Sequence, residues 1–298
     1  MKAQMLKRQL ISRTRFLWGN RDIGLGRRLQ IAASPRMGRA AMRYLRHNCL
    51  HANAPEPHFR LNGKSIYFMP DYPVQDSDRL LQGISQVLVE TYLLPELFHP
   101  RVKAEAGDIV LDLGGNIGTT ALLFSQLVGP SGHVYVFEPI VHELCRKNIN
   151  RNRAENVSVI PCGVSDRNDQ IEFEVSDFCI DSCIATIPHH PIDAANGKPS
   201  AATTYPTRKV NAELVRLDDW MRTANPPRVD LIKMDIEGAE ESAILGATEL
   251  IARFRPAWSI SSYHFDFSGE PQHPKLVRLL RELGYQTAES ERRHIFAW

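Results

Sequence analysis

The stretch VLDLGGNIGTTALLF, residues 110–124, decides the fold of this chain of 298 residues. The chain enters a glycine cluster from the apolar segment IVLDL (109–113), which predicts a buried strand. It leaves the cluster in TTALLFSQLV (119–128), which predicts a helix. In an open α/β sheet, ligands bind at the carboxyl ends of the strands, so the turn at residues 114–118 is the first candidate binding site.

The alternation of strand and helix continues toward the C-terminus. We predict strands at 133–139, 157–166, 229–238 and 257–265, and helices at 142–152 and 239–254. IEFEV (171–175) and VNAELVRL (210–217) interrupt this order and are expected to pair as an insertion or an edge. Strands that alternate with helices of this length form βαβ units, so the sequence predicts an α/β fold with a doubly wound, mostly parallel sheet and flanking helices.

Three further segments complete the predicted organisation. Residues 1–55 form a basic arm, helical in patches, with 12 Lys or Arg against one acidic residue. Residues 56–100 lead into the core through a small hairpin at 59–70, turned by Asn62-Gly63, and a helix at 76–98. The core spans 101–298 and contains an insertion loop at 176–206, where four prolines and little periodicity are found.

The glycine turn does not suit a dinucleotide. A pyrophosphate site needs G-x-G-x-x-G, but Asn116 and Thr119 stand where the second and third glycines belong, which disfavours a nicotinamide dehydrogenase. The turn instead contains Asp112, Gly114, Asn116 and Gly118. Asp112 is expected to attract an ammonium group, while backbone N–H groups at the helix start take a carboxylate. A purely structural role for Asp112, as a cap of the next helix, is the alternative.

Two other strand ends extend the predicted site. Glu138 ends the second strand, where an acid can accept hydrogen bonds from both hydroxyls of a ribose. Ser165 and Asp166, in GVSD, offer polar groups to an adenine edge. An amino acid, a ribose and a base without phosphate indicate S-adenosylmethionine as the cofactor.

GDIVLDLGGNIGTTALLF, VYVFEP, NVSVIPCGVSD and VDLIKMDIEGAEESAILGA resemble the FkbM-type methyltransferases, a branch of the class I S-adenosylmethionine-dependent fold. The resemblance covers roughly residues 57–287, and KMDIEGAE is its most specific piece. It implies O-methylation of a hydroxyl, often on sugars of polysaccharides or secondary metabolites. The sequence departs from the family at Gly115, where Ala is common, and at 176–206, which has no family pattern.

Three residues are candidates for catalysis at the fourth and fifth strand ends. Asp235 is expected beside the transferred methyl group, with Glu237 two residues beyond, and His264 is the alternative base because an ordinary imidazole titrates near neutral pH. Asp235 could instead bind the methionine amine, Glu237 could cap the following helix, and His264 could be structural. Asp235 and Glu237 could hold magnesium, but two acids are weak evidence, and no metal is predicted.

A zinc site is not expected either. Two cysteines and two histidines crowd the insertion loop, but their spacing is not that of zinc ligands. These residues are Cys179, Cys183, His189 and His190.

The sequence is compatible with two classes of partner. The leading function predicts a small-molecule or glycan substrate. The alternative is a protein that binds nucleic acid or an anionic membrane surface through the basic arm. The arm has only Phe16, Trp18 and Tyr44 as aromatic residues and no base-reading module, so nucleic acid is not expected. No oligomeric state is predicted.

The sequence also favours a cytoplasmic protein. Lys and Arg interrupt every apolar run in the first 20 residues, which argues against a secretory signal. Residues 113–137 carry no charge, but five glycines and Pro130 exclude a membrane span. The five cysteines form no CxxC pair, as expected of free thiols in a reducing compartment. Contact with a membrane would then be peripheral, through the arm.

Overall fold

The computed structural model describes residues 50–51, 54–56, 58–61, 64–67, 99, 101–176, 182–184, 207–266, 268–290 and 293–298. Almost all of the basic arm, the helix predicted at 76–98 and most of the 176–206 loop lie outside these ranges. No helix within them is both long and apolar enough to cross a membrane.

The described ranges contain fourteen strands and six helices. The strands are β1 (Leu50–His51), β2 (His58–Leu61), β3 (Lys64–Tyr67), β4 (Ile109–Leu113), β5 (His133–Phe137), β6 (Val157–Ile160), β7 (Gly163–Val164), β8 (Asp169–Ser176), β9 (Ser182–Ile184), β10 (Thr207–Val215), β11 (Leu231–Met234), β12 (Ala257–Ser261), β13 (Thr287–Glu289) and β14 (His294–Ala297). The helices are α1 (Thr119–Val128), α2 (His142–Arg151), α3 (Leu217–Ala224), α4 (Glu240–Leu245), α5 (Thr248–Phe254) and α6 (His273–Glu282).

Seven strands form the main sheet, in the order β13-β14-β12-β11-β4-β5-β6. Strands β4, β5, β6, β11 and β12 run parallel to their neighbours in this group. Strand β14 is antiparallel to both β12 and β13. The predicted α/β fold with a doubly wound, mostly parallel sheet is therefore confirmed, and it has the class I arrangement that the resemblance implies.

Alternating side chains of the sheet supply two cores, one on each face. Leu111 and Leu113 of β4 belong to a cluster that includes residues of α3, α4, α5 and α6. Val110 of the same strand belongs to the other cluster, with residues of α1 and α2. Because successive side chains of a strand point to opposite faces, one apolar strand stabilises both layers.

The order of the sheet reverses between β4 and β11. From β4 the chain builds outward through β5 and β6, whereas β11 and β12 lie on its other side. At this reversal the loops after β4 and β11 touch: the N–H of Asp235 donates to the carbonyl of Leu113 at 3.1 Å. Gly114 follows with φ +78°, and a Cβ there would lie 1.9 Å from the Asp235 carbonyl oxygen. Only glycine permits this approach.

A second sheet of four strands, in the order β7-β10-β8-β9, flanks the first. Strands β8 and β10 pair antiparallel along their length, which confirms the predicted pairing of 171–175 with 210–217. Strand β9 pairs with β8 inside the segment predicted as a loop. A strand of three residues is too short to produce a periodic pattern.

The strands predicted at 229–238 and 257–265 are shorter, at Leu231–Met234 and Ala257–Ser261, and two other predicted elements are divided. The strand predicted at 157–166 is divided, because β6 ends at Ile160 and β7 pairs with β10 in the second sheet. The helix predicted at 239–254 breaks into α4 and α5 at Gly246. A Cβ on Gly246 would lie 2.0 Å from the carbonyl oxygen of Ser165, so the break lets these two segments meet.

The predicted hairpin is confirmed and is tied to the core. Strands β2 and β3 pair antiparallel, with Leu61 opposite Lys64. Asn148, in α2, accepts a hydrogen bond from the N–H of Tyr67 at 2.6 Å and donates to the carbonyl of Ile117 at 2.5 Å. Asn152 is bonded to both backbone groups of Ser65. One buried asparagine thus joins the hairpin to the glycine turn.

We expect Gly114→Ala to destabilise the protein more than Gly269→Ala. Both glycines have φ +78°, so the backbone strain, about 1–2 kcal/mol, is common to both variants. No described residue lies within 4 Å of a Cβ at Gly269, whereas Gly114 faces a backbone carbonyl. Urea unfolding should give Gly114→Ala a further loss of at least about 1–3 kcal/mol. Equal losses would show that the loop after β11 can move away.

Candidate active site

The glycine turn is anchored on both sides by backbone contacts. The N–H groups of Gly114 and Gly115 both donate to the carbonyl of Phe137, at 2.9 and 3.2 Å. A Cβ on Gly115 would lie 2.0 Å from a methyl carbon of Val136. Glycine at position 115 therefore leaves room for the Val136 side chain.

The last residues of the turn lead into α1. Asn116 has φ +47°, a conformation that asparagine tolerates better than most side chains. Gly118, with φ +86°, is the residue before α1 and has no side chain that could cap the helix. A Cβ at this position would lie 3.1 Å from the sulfur of Cys145. Gly114 and Asn116 are partly exposed, whereas Gly115 and Gly118 are buried. Ile117 is also partly exposed, so the turn presents side chains at positions 116 and 117 as well as backbone.

Asp112 has a different partner from the one predicted. Its side chain is fully buried, and the ammonium nitrogen of Lys233 lies 3.1 Å from Oδ1. Lys233 also donates to the carbonyl of Gly114 at 3.1 Å. Burial raises the pKa of Asp112, although the charge of Lys233 opposes this. Burial and the pairing with Lys233 disfavour the predicted contact of Asp112 with a ligand ammonium, which stays a prediction.

Glu138 lies where it was predicted, directly after β5, and its carboxylate is largely occupied. Oε2 accepts the N–H of Asn116 at 2.8 Å, and Oε1 accepts those of Ile140 and Val141 at 2.8 and 3.0 Å. Burial raises the pKa of Glu138, and the three N–H groups oppose that shift. A carboxylate has about four acceptor positions, so one remains for a ligand hydroxyl.

Ser165 and Asp166 are displaced from the predicted position. They follow β7 of the second sheet instead of ending the third strand of the main sheet. Ser165 is buried and its hydroxyl donates to Asp166 Oδ1 at 3.1 Å, while the Asp166 side chain is 40% exposed. Their contact with an adenine stays a prediction.

The three predicted catalytic residues come together in space. Asp235 and Glu237 follow β11, and His264 lies three residues beyond the end of β12. Nε2 of His264 lies 3.5 Å from Oδ1 of Asp235 and 3.3 Å from Oε2 of Glu237. The two carboxylates are partly exposed, whereas the imidazole is buried. Together they form an acidic group next to the glycine turn, which we call the Asp235 cluster (Asp235, Glu237 and His264).

Glu240, which was not among the predicted site residues, holds His264 of the cluster through a hydrogen bond. It is fully buried, and its Oε1 accepts from Nδ1 of His264 at 2.7 Å. Its Oε2 accepts from Gly238 N–H at 3.0 Å and from Gln272 Nε2 at 2.6 Å. Glu237 has φ +54°, so the turn between β11 and α4 is bent through a backbone conformation unusual for a residue other than glycine.

The acids determine the charge of the imidazole. Burial by itself would lower the pKa of His264, but the carboxylates of Glu237, Glu240 and Asp235 raise it to about 10. For Glu240, burial favours the neutral acid, yet the His264 charge and its hydrogen bond lower the pKa overall. The imidazole is therefore protonated at neutral pH in the protein alone.

Two residues important for this geometry, Lys233 and Glu240, have recognisable sequence signals. Lys233 is a single charge inside the apolar strand LIKM, which indicates a buried partner. Glu240 stands three residues after Glu237 in EGAE, at the start of α4, where a carboxylate can reach back to the preceding N–H groups.

We expect Lys233→Met to lower the free energy of unfolding by about 3–5 kcal/mol, because it leaves a buried carboxylate without its counter-charge. The double variant Lys233→Met/Asp112→Asn should recover part of that loss, since no buried charge remains. Chemical denaturation of the two variants measures both effects. A double variant as unstable as the sum of the two single changes would show that the residues do not interact.

Comparisons with known proteins agree with the predicted resemblance. Residues 112–287, more than half of the chain, match the family model described as Methyltransferase FkbM domain. The 2-O-methyltransferase NoeI of Sinorhizobium fredii is 29% identical over 147 residues, 49% of this chain and 60% of that protein. The hexuronic acid methyltransferase AglP of Haloferax volcanii is 29% identical over 151 residues, 50% of this chain and 54% of that protein.

Among solved structures, the FkbM methyltransferase of Methylobacillus flagellatus has 18% identity and a TM-score of 0.41, over 78% of this chain and 56% of that chain. The chain thus spans less than two thirds of the length of these three relatives. The match to the family model, which contains both the glycine turn and the Asp235 cluster, decides the classification: this chain belongs to the FkbM methyltransferase family.

Proposed function

We propose that this chain transfers the methyl group of S-adenosylmethionine to a hydroxyl of a sugar, a glycan or a glycosylated metabolite. The observation that carries the proposal is the contact between the glycine turn and the Asp235 cluster, at the point where the sheet order reverses. The names of two relatives, a 2-O-methyltransferase and a hexuronic acid methyltransferase, support a sugar hydroxyl as the acceptor.

The residues of the glycine turn fit this cofactor. Glu138 keeps about one acceptor position for a ribose hydroxyl. Gly114 presents only backbone to a ligand, and no side chain of the described residues caps the start of α1, so its N–H groups suit the cofactor carboxylate. We place the adenine near Ser165 and Asp166. The cofactor ammonium is assigned to backbone carbonyls of the turn, because Asp112 is already paired with Lys233.

The Asp235 cluster fits the acceptor. The cofactor, when bound, supplies an electrophilic methyl group on a sulfonium. The acceptor oxygen forms the new bond as the carbon–sulfur bond breaks, and its proton must leave. We assign that proton to Asp235, whose Oδ1 is buried and has no hydrogen-bond partner within the described ranges. Glu237 and His264 then orient the hydroxyl, so that the reacting atoms are in line.

This assignment prefers Asp235 to His264 as the base on geometry. Both ring nitrogens of His264 face carboxylates: Nδ1 is bonded to Glu240, and Nε2 lies between Asp235 and Glu237. Because both of its nitrogens already face carboxylates, the imidazole serves to position these acids and not to accept the proton. Asp235, by contrast, has a side chain that is 24% exposed and adjoins the glycine turn.

We expect the cofactor site to depend on Glu138. Calorimetric titration with S-adenosylhomocysteine should show binding to the wild type, weakened by about 1–3 kcal/mol in Glu138→Ala. Glu143→Ala is the matched control, since that side chain lies on the same segment but is 75% exposed. Equal affinities in all three proteins would remove Glu138 from the site. No binding to folded wild type would refute the proposed activity.

We expect Asp235→Asn to lower kcat by about 10²- to 10⁴-fold, the usual range for loss of a general base. Asp230→Asn is the control because Asp230 flanks the other end of β11 with a similar side-chain exposure, 19% against 24%. Transfer of radiolabelled methyl groups to a panel of hexuronic acids and glycosides measures the rate, and NMR of the product locates the new ether. Full activity of Asp235→Asn would assign the proton to another group.

We also propose that residues 1–55 contact an anionic membrane surface, and the support is their charge of 12 basic residues against one acid. The full chain should sediment with vesicles containing phosphatidylserine, and less so as salt rises. Charge reversal of Arg13 and Arg15 should weaken binding by about tenfold or more, whereas reversal of Arg167 and Arg253 should not. Equal effects would assign the binding to overall charge.

A further inference from the structure

The Asp235 cluster has the composition and spacing of a metal centre. One ligand atom from each of Asp235, Glu237 and His264 lies within 4.8 Å of the other two. We propose that these three side chains bind one divalent cation of the magnesium or manganese class.

His264 is the observation that separates this cluster from an ordinary group of surface acids. Its side chain is only 7% exposed, and Nε2 has no hydrogen-bond partner within the described ranges. The atom nevertheless lies between two carboxylate oxygens, at 3.3 and 3.5 Å. The buried nitrogen therefore faces both acids without a hydrogen bond to either, and a cation placed between the three atoms would bond to all of them.

The distances also suit a shared ion. Magnesium binds its ligands at about 2.0–2.1 Å in octahedral geometry, so neighbouring ligands on one ion are about 3 Å apart. Nε2 of His264 lies 3.5 Å from the Asp235 oxygen and 3.3 Å from the Glu237 oxygen, a few tenths of an ångström more than this. A small rotation of the partly exposed carboxylates of Asp235 and Glu237 would bring their oxygens onto a common ion.

The surroundings of His264 are those of a metal-binding histidine. A ligating imidazole almost always donates its second N–H to a carboxylate or carbonyl, which fixes the tautomer and the direction of the ring. Here Nδ1 is bonded to Glu240 at 2.7 Å, and that carboxylate is held by Gly238 N–H and by the amide of Gln272. The support leaves Nε2 as the atom that faces the two acids.

Charge balance favours a cation at the same place. Three carboxylates, those of Asp235, Glu237 and Glu240, surround a single imidazole. The attraction that these acids exert on a proton at Nε2 would act on a divalent ion in its place. Binding of the ion then releases that proton to solvent, so that ligation and deprotonation balance.

The ligand types limit the choice of metal. Two carboxylate oxygens and one imidazole form a mostly hard set without a thiolate, which suits magnesium or manganese. Three protein ligands leave about three positions of an octahedron. If the proposed function holds, neighbouring hydroxyls of the acceptor sugar would occupy two of them, and an ion-bound hydroxyl loses its proton more readily. Each carboxylate keeps a second oxygen to receive that proton.

The test is direct titration of the full chain with Mn²⁺, followed by electron paramagnetic resonance, with no cofactor or acceptor present. We expect one Mn²⁺ per chain, competed by Mg²⁺. Glu237→Gln should weaken Mn²⁺ binding by at least about tenfold, since even indirect supporting residues cost 10–100-fold. Glu289→Gln is the matched control: Glu289 also lies beside a histidine nitrogen, 2.9 Å from Nε2 of His273, but at a different place.

The outcomes separate this proposal from the proposed function. Mn²⁺ binding that Glu237→Gln weakens and Glu289→Gln retains supports the metal site, even if no methyl transfer is found. Absence of Mn²⁺ binding, or equal binding in both variants, overturns the metal site. If methyl transfer is unaffected by EDTA and no Mn²⁺ binds, the metal site is refuted and the methyltransferase proposal is supported. Circular dichroism of each variant confirms that it is folded.

Discussion

Where the central strands β4 and β11 end, their two loops leave no space for a side chain: a Cβ on Gly114 would lie 1.9 Å from the carbonyl oxygen of Asp235. The hydrogen bond from Asp235 to Leu113 holds the loops in this contact. The proposed cofactor side and acceptor side are therefore fixed to each other through backbone. For an in-line transfer this matters more than any single hydrogen bond, because small misplacements of the reacting atoms reduce the rate strongly.

The buried acids near this junction are stabilised in three different ways. Asp112 is paired with the ammonium of Lys233, Glu138 is bonded to three backbone N–H groups, and Glu240 is bonded to His264 and Gln272. A buried carboxylate without such partners would be strongly destabilising. Asp235 differs from these acids in exposure, because its side chain is 24% exposed and its residue contacts the loop after β4, so it can reach a ligand.

The sequence was most informative where short-range patterns determine the structure. β4 and α1 have their predicted bounds, because an apolar strand, a glycine cluster and an apolar helix follow one another without ambiguity. The joint location of Asp235, Glu237 and His264 followed from the rule that parallel strands end at one edge.

Long-range contacts could not be predicted in this way. The division of 157–166 depends on β7 pairing with β10, about fifty residues away, and the break at Gly246 depends on the backbone of Ser165. Strands β13 and β14 and helix α6 were not predicted at all. The strands have three and four residues, too few for a periodic pattern. Neither can a sequence show that Lys233 already neutralises Asp112.

The bonds of Asn148 have a consequence for where the catalytic unit begins. This buried side chain contacts the hairpin through Tyr67 and the glycine turn through Ile117. A fragment that started at residue 101 would contain every strand of the main sheet, yet it would remove the partner of the Asn148 oxygen and uncover the α2 surface beneath β3. A fragment meant to fold should therefore include the hairpin. Although Tyr67 lies about fifty residues before the glycine turn, Asn148 connects the two.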